Sequence, residues 1–323
     1  MMSAGKLLTL IVFSFAVCQA QVSYSVSGFS SGGFMSVQMH VAYSASIFGV
    51  GVVAGGPYYC SLNSFSRLQT ACTANPYLID LAPLISYANI QSADQTIDPI
   101  ANLAPSKVFL YSAKQDIRIY PGVVQATLQF YQNFVDPSNI MTVFDNNGAH
   151  VFPTVSNGGP CWYYGAPYIG ACNYDGAGAI LSFLYDSLNP KAQFNNSNLF
   201  PFDQAAYADV WQAGLSNRGW VYAPYSCRQN PITCRLHVVF HGCEQDYGMI
   251  GETFVREAGY GEWAESNNIV ILFPQAVVGS LNIEGCWDFA GITGADFALK
   301  SGPQMFAINQ MAQNYTSIVQ KLD

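Results

Sequence analysis

The 323-residue chain carries a formal net charge of −8, and only 10% of its residues are charged. No basic stripe runs through it, which argues against nucleic acid or an anionic membrane surface as a partner. With 50% hydrophobic and 14% aromatic residues, the chain can bury a large core and suits an uncharged or apolar substrate.

Residues 1–20 read as a secretory signal. Lys6 supplies the positive start, residues 7–17 form an apolar core too short to span a bilayer, and Cys18-Gln19-Ala20 places small residues at the cleavage site. Cleavage before Gln21 leaves residues 21–323 as one domain in the extracellular space, with no membrane association. Residues 22–27 alternate as a short strand that runs into Gly28-Phe29-Ser30-Ser31-Gly32, a G-x-S-x-G pattern. Residues 32–44 follow as a helix. Residues 47–54 are a continuous apolar run ending in Gly55-Gly56-Pro57, the pattern of a buried parallel strand and turn. Strands are expected at 107–112 and 140–144, and between them a helix at 121–134 opens with Pro. Residues 153–217 are rich in Gly, Tyr, Asn and Pro, so they read as loops and cover, with one helix at 176–188. Strands resume at 219–223, 235–240 and 269–273. Helices at 251–267 and 304–322 complete the chain. Strands alternating with helices imply an α/β fold with a mostly parallel sheet covered on both faces.

Nine cysteines are present, and Cys18 leaves with the signal. The even remainder in a secreted chain argues for disulfides. Short loops favour Cys60–Cys72, Cys161–Cys172, Cys227–Cys234 and Cys243–Cys286, although eight cysteines permit 105 connectivities. No C-x-x-C spacing supports a metal site, and no metal or cofactor is expected. Asn195-Asn196-Ser197 and Asn314-Tyr315-Thr316 are glycosylation sequons.

The pattern around Ser30 places a serine on a tight strand-to-helix turn, where flanking glycines relieve crowding. A serine nucleophile needs a base. Of the four histidines, His40 lies inside a helix, His237 lies within a strand and His241 ends that strand. His150 sits in a loop just after a strand, and the chain order Ser, acid, His of hydrolase triads selects it. Asp116 is the acid delivered by the strand at 107–112. Asp145 is the alternative, but it lies too near His150 in sequence to come from a separate strand end. An oxyanion hole needs two backbone N–H donors. Ser31 follows the nucleophile and offers one. The second normally comes from a loop after an earlier strand, yet no such strand precedes Ser30. Residues 235–240 followed by His241-Gly242-Cys243 provide a strand and loop far downstream, which makes Cys243 the second donor. The order of a hydrolase is therefore rotated in this chain, with its ends expected close together.

Gly28-Phe29-Ser30-Ser31-Gly32-Gly33, Ala54-Gly55-Gly56-Pro57-Tyr58-Tyr59-Cys60, His241-Gly242-Cys243 and Gly285-Cys286-Trp287-Asp288 together resemble secreted poly(3-hydroxybutyrate) depolymerases, in particular the circularly permuted, single-domain fungal α/β-hydrolases. The resemblance spans nearly the whole mature chain. It implies Ser30 as nucleophile, Asp116 as orienting acid, His150 as base, and the Ser31 and Cys243 amides as oxyanion hole. It also implies substrate-binding roles for Trp287 and Tyr58, a solid or oligomeric polyester as partner, and a monomer. No counterpart of the separate substrate-binding domain of many bacterial members is found. Two rival readings share the fold: a feruloyl or acetyl esterase, and a non-catalytic polymer-binding protein.

Overall fold

The computed structural model describes residues 21–322, and the signal-peptide reading lies outside them. The main sheet contains β1 (Tyr24–Phe29), β2 (Ile47–Val53), β3 (Lys107–Tyr111) and β4 (Ile140–Val143) from the first half of the chain. A small parallel sheet of β5 (Phe152–Thr154), β6 (Gly159–Pro160) and β7 (Ile169–Ala171) interrupts it. The second half contributes β8 (Leu199–Asp203), β9 (Arg218–Tyr222), β10 (Arg235–Phe240) and β11 (Ile269–Phe273). Across the main sheet the order is β4-β3-β2-β1-β10-β11-β9-β8. All neighbours run parallel except β9, which is antiparallel to both β11 and β8. The fold is α/β with a mostly parallel sheet.

The sheet strands are the continuous apolar runs of the sequence, because a parallel strand covered on both faces has no solvent side to keep polar. All five residues of β11 are buried. On β2, Gly49 and Gly51 face the helix Gly176–Tyr185; a Cβ there would lie 2.8 Å from Leu184 and 2.6 Å from Ile180. The alternate residues Val50 and Val52 point to the opposite face, and both are fully buried. Helix α1 (Ser31–Ala42) is buried along its whole length, which is why it shows no polar stripe.

Read from the β8 edge, the strand order would be nearly sequential if the chain began at β8, with only β10 and β11 exchanged. The first described strand, β1, instead lies in the centre of the sheet. The Val22 N–H donates to Gln313 Oε1 at 2.8 Å, and Gln313 Nε2 returns a bond to the Val22 carbonyl at 3.2 Å. The start of β1 is thus held against the end of the helix Pro303–Gln313, so the first and last described segments lie side by side.

Several elements differ from expectation. The helix at 251–267 is two helices, Thr253–Glu257 and Tyr260–Asn267, because Gly259 turns left-handed at φ 90°. The last helix breaks at Asn314 into Pro303–Gln313 and Tyr315–Gln320. The loop-like stretch 153–217 holds β8, which extends the sheet at its edge. Helix Leu81–Ala93 was not anticipated; its apolar residues are scattered around the axis and only Leu84 and Ala88 are buried. Among the described residues no helix is long and apolar enough to cross a membrane.

A buried polar network joins β1 to β10 inside the sheet. His237 on β10 has Nδ1 2.6 Å from Ser25 Oγ and Nε2 2.7 Å from Ser27 Oγ, both on β1. The hydroxyls of Tyr185 and Tyr260 complete the network. His40 on α1 meets the Tyr131 hydroxyl through Nδ1 at 3.0 Å. Burial pushes the pKa of His40 and of His237 down to about 3, and that of His241 to about 4. In an unfolded chain each histidine titrates near 6.5. Below that pH the unfolded state binds more protons, so this contribution to stability is complete above pH 6.5 and is lost as pH falls towards 4 and 3. Burial pushes the Asp246 and Glu262 carboxyls up, and these act in the opposite sense. The His40→Gln substitution isolates one group. Its melting temperature should fall less steeply than that of the parent between pH 7 and pH 5, by the share of one proton. Parallel slopes in thermal unfolding would contradict the assignment.

Candidate active site

The carboxyl ends of β1, β3 and β4 and the loop after β10 open on one cleft. Ser30 stands between β1 and α1 with φ 57° and ψ −121°, a conformation an L-residue rarely adopts. Its N–H donates to the Val53 carbonyl at 2.9 Å, which ties the turn to the end of β2. A Cβ on Gly28 would lie 2.2 Å from the Gly32 carbonyl oxygen, and a Cβ on Gly32 would lie 2.4 Å from the carbonyl oxygens of Phe240 and His241. Only glycine at both positions lets the turn close against the end of β10.

The structure brings Ser30, His150 and Asp116 into one relay. His150 Nε2 is 2.9 Å from Ser30 Oγ, and His150 Nδ1 is 2.7 Å from Asp116 Oδ2. A carboxylate only accepts, so Nδ1 carries the proton and Nε2 is left to accept from the serine hydroxyl. The other Asp116 oxygen accepts from the N–H groups of Arg118 and Ile119 at 2.9 and 2.8 Å. Phe29 packs on the His150 ring at 4.7 Å. All three side chains are at least nine-tenths buried. Two backbone bonds join the acid turn to the histidine loop: Lys114 N–H to the Asn146 carbonyl and Gln115 N–H to the Gly148 carbonyl. The Cys161–Cys172 disulfide packs beneath that loop at Gly148. Asp145, the alternative acid, takes no part in the relay.

Ser31 provides the first peptide of α1, and Cys243 borders the cleft with Ser30. The Cys243 N–H donates to no acceptor among the described residues. The eight cysteines are joined in the four short-range pairs that loop length favours. The bond Cys243–Cys286 links the turn after β10 to the loop that carries Trp287. Glu284 lies with these two sulfurs, but a disulfide offers no thiolate to a metal.

Two expectations are corrected. Trp287 and Tyr58 do not line the cleft; both are fully buried. The Trp287 indole packs against Phe240 and His241 beneath the turn after β10, and the Trp287 backbone N–H donates to Ser31 Oγ at 3.3 Å. Tyr58 packs on Tyr87 and Phe130, with its hydroxyl donating to the Ala298 carbonyl at 2.9 Å. The Gly55-Gly56-Pro57 turn sends the chain back into the core, where a large ring can bury its area and still find a carbonyl for its hydroxyl. Both residues support the cleft from below.

The cleft encloses about 500 Å³. Its rim carries Phe65, Ile117, Leu281 and Ile283, all more than half exposed. Arg118, Tyr164 and Glu244 supply polar contacts within it. The Tyr168 hydroxyl donates to the Glu244 carboxylate, and burial together with that carboxylate pushes the Tyr168 pKa up. Sequence reasoning missed these residues because they come from loops, where no periodicity marks a side chain as facing a site.

One buried acid organises the loop at the rim. Asp288 Oδ1 accepts from the N–H groups of Ala290, Gly291 and Ile292, and Oδ2 accepts from the Thr293 N–H and hydroxyl, all within 3.0 Å. Asp288→Ala should lower unfolding free energy by about 3 kcal/mol, since it strands several backbone donors. Asp288→Asn should cost less, because it keeps one acceptor. Denaturant unfolding of the two variants checks that ranking.

No protein-family model matches the chain. It is 42% identical over 297 residues to a poly(3-hydroxybutyrate) depolymerase of Delftia acidovorans, covering 91% of this chain and 59% of that protein. It is 38% identical over 304 residues to a polyhydroxybutyrate depolymerase of Talaromyces funiculosus, covering 88% of this chain and 87% of that protein. The crystal structure of the PHB depolymerase from Penicillium funiculosum superposes with a TM-score of 0.84 at 34% identity, over 91% of this chain and 96% of that one. A PHB depolymerase variant complexed with an R3HB trimer superposes with a TM-score of 0.85 at 34% identity, over 92% and 97%.

Proposed function

The chain belongs to the poly(3-hydroxybutyrate) depolymerase family, and we propose that it is a secreted serine esterase that cleaves poly(3-hydroxybutyrate) or a related short-chain polyester. The observation that carries this reading is the buried relay from Ser30 Oγ through the His150 ring to Asp116, at 2.9 and 2.7 Å.

The chemistry follows from the relay. His150 Nε2 takes the hydroxyl proton as Ser30 Oγ attacks the ester carbonyl carbon. Asp116 stays ionised, holds the ring orientation and stabilises the imidazolium. The peptide N–H groups of Ser31 and Cys243 receive the charge that develops on the carbonyl oxygen. The imidazolium returns its proton to the alcohol end of the polymer, which departs. Water then loses a proton to His150 as it attacks the acyl carbonyl carbon, and the imidazolium returns that proton to Ser30 Oγ as the hydroxy acid leaves. Every proton moves through the one imidazole.

The surroundings support a polyester as substrate. Leu281 is 78% exposed and Ile283 is 73% exposed, and with Phe65 and Ile117 they offer an apolar rim where a solid, uncharged polymer can adsorb. The solved relative with an R3HB trimer supports the same substrate class for this chain. Four disulfides support an oxidising, extracellular setting.

Ser30→Ala should fold normally and lose activity by about 10⁴-fold or more. Clearing of a poly(3-hydroxybutyrate) suspension, measured beside release of ferulate from a feruloyl ester, checks both the nucleophile and the substrate class. Retention of esterase activity by a folded Ser30→Ala protein would end the proposal. Ferulate release without polymer clearing would move the enzyme to plant-polysaccharide esters.

A further inference from the structure

His241 directly follows β10, in the His241-Gly242-Cys243 segment that carries the second oxyanion donor. It lies outside the relay, yet its ring is fixed on every side. Its Nε2 accepts the Ala276 N–H at 3.2 Å. A nitrogen that accepts a peptide N–H carries no proton, so the proton of the neutral ring sits on Nδ1. Nδ1 lies 2.7 Å from the Gly242 carbonyl oxygen and donates to it. The Trp287 ring packs against the imidazole at 5.3 Å, and the side chain is 1% exposed.

The Gly242 carbonyl and the Cys243 N–H belong to one peptide plane. In a trans peptide they point in opposite directions. A ring that holds the carbonyl on the buried side therefore turns the N–H away from itself, towards the cleft that Cys243 shares with Ser30. The turn needs this restraint because Gly242 has no Cβ to limit rotation about its bonds. The Gly242 N–H is held by Gln245 Oε1 at 2.7 Å, and the Cys243 side chain is held by its disulfide to Cys286. Those two ties fix the ends of the segment, but neither stops the 242–243 peptide from flipping between them. A flip would present a carbonyl oxygen where a donor is required and would repel the developing charge.

We propose that His241 is a positioning residue that locks the 242–243 peptide and so aims the Cys243 N–H at the oxyanion. The inference rests on the reading of Ser31 and Cys243 as the oxyanion donors. Its effect belongs to the transition state, because the charge it serves is absent from the bound ester. His241→Phe keeps the planar ring and removes both hydrogen bonds. His241→Asn keeps a donor near the position of Nδ1.

The test compares wild type, His241→Phe and His241→Asn on a soluble hydroxybutyrate oligomer ester, with butylboronic acid as a probe that forms a charged tetrahedral adduct on the serine. His241→Phe should lower kcat by about 10- to 100-fold, part of the loss seen when an oxyanion donor is removed outright. KM should stay within about 2-fold, and boronate affinity should weaken by about the same factor as kcat. His241→Asn should recover most of both. Wild-type kcat and boronate affinity in folded His241→Phe would overturn the role. So would a His241→Asn protein with intact folding and KM whose kcat still falls by more than about 10-fold, a result that stands even if His241→Phe does not fold. Failure of the wild type itself to bind the boronate would instead overturn the serine-esterase reading on which the role rests.

Discussion

One close approach between two backbones governs this site. The first turn of α1 lies against the end of β10, so near that Gly32 faces the carbonyls of Phe240 and His241 where any side chain would collide. That contact fixes two distances together: the serine hydroxyl from its histidine, and the serine from the peptides that follow β10. It also explains why Ser30 is held at φ 57°. The sheet supplies the rigidity, since β1 is paired to β2 on one side and β10 on the other. Strain at one residue persists because the surrounding strands over-determine it.

Around this contact the cleft is assembled from loops, and loops need restraint that a sheet does not provide. Covalent bonds give part of it. Cys243–Cys286 joins the turn after β10 to the rim, and Cys161–Cys172 backs the histidine loop. Buried polar groups give the rest: Asp288 gathers the N–H groups of residues 290–293, and His241 holds a single carbonyl. Asp288 and His241 thus act on backbone, while the rim exposes the apolar side chains of Phe65, Ile117, Leu281 and Ile283. This division fits the proposed polyester substrate, because adsorption needs exposed apolar area while catalysis needs fixed dipoles.

The buried histidines show how environment separates residues of one type. His40, His237 and His241 are enclosed by apolar core or neutral hydroxyls and stay uncharged. His150 alone sits against a carboxylate. Composition treats the four as equal; position relative to strand ends distinguishes them.

The order of groups along the chain was legible from residues alone. Gly28 and Gly32 marked the turn at Ser30, an apolar run delivered Asp116, a loop after a strand delivered His150, and cysteine spacing favoured the pairs the structure holds. Strand runs such as β10 and β11 were legible because burial on both faces removes polar residues from them. The split at Gly259 and the edge strand β8 were not, since a single glycine or a short polar-flanked strand has no periodicity to read. Trp287 and Tyr58 were misplaced for a related reason: sequence shows that an aromatic residue stands beside a motif, but which way its ring faces depends on the layer packed over it. Local chemistry thus determined which groups are available, through spacing and residue type. Tertiary structure alone decided which of them share a cleft, because segments more than 200 residues apart meet only when β1 inserts beside β10.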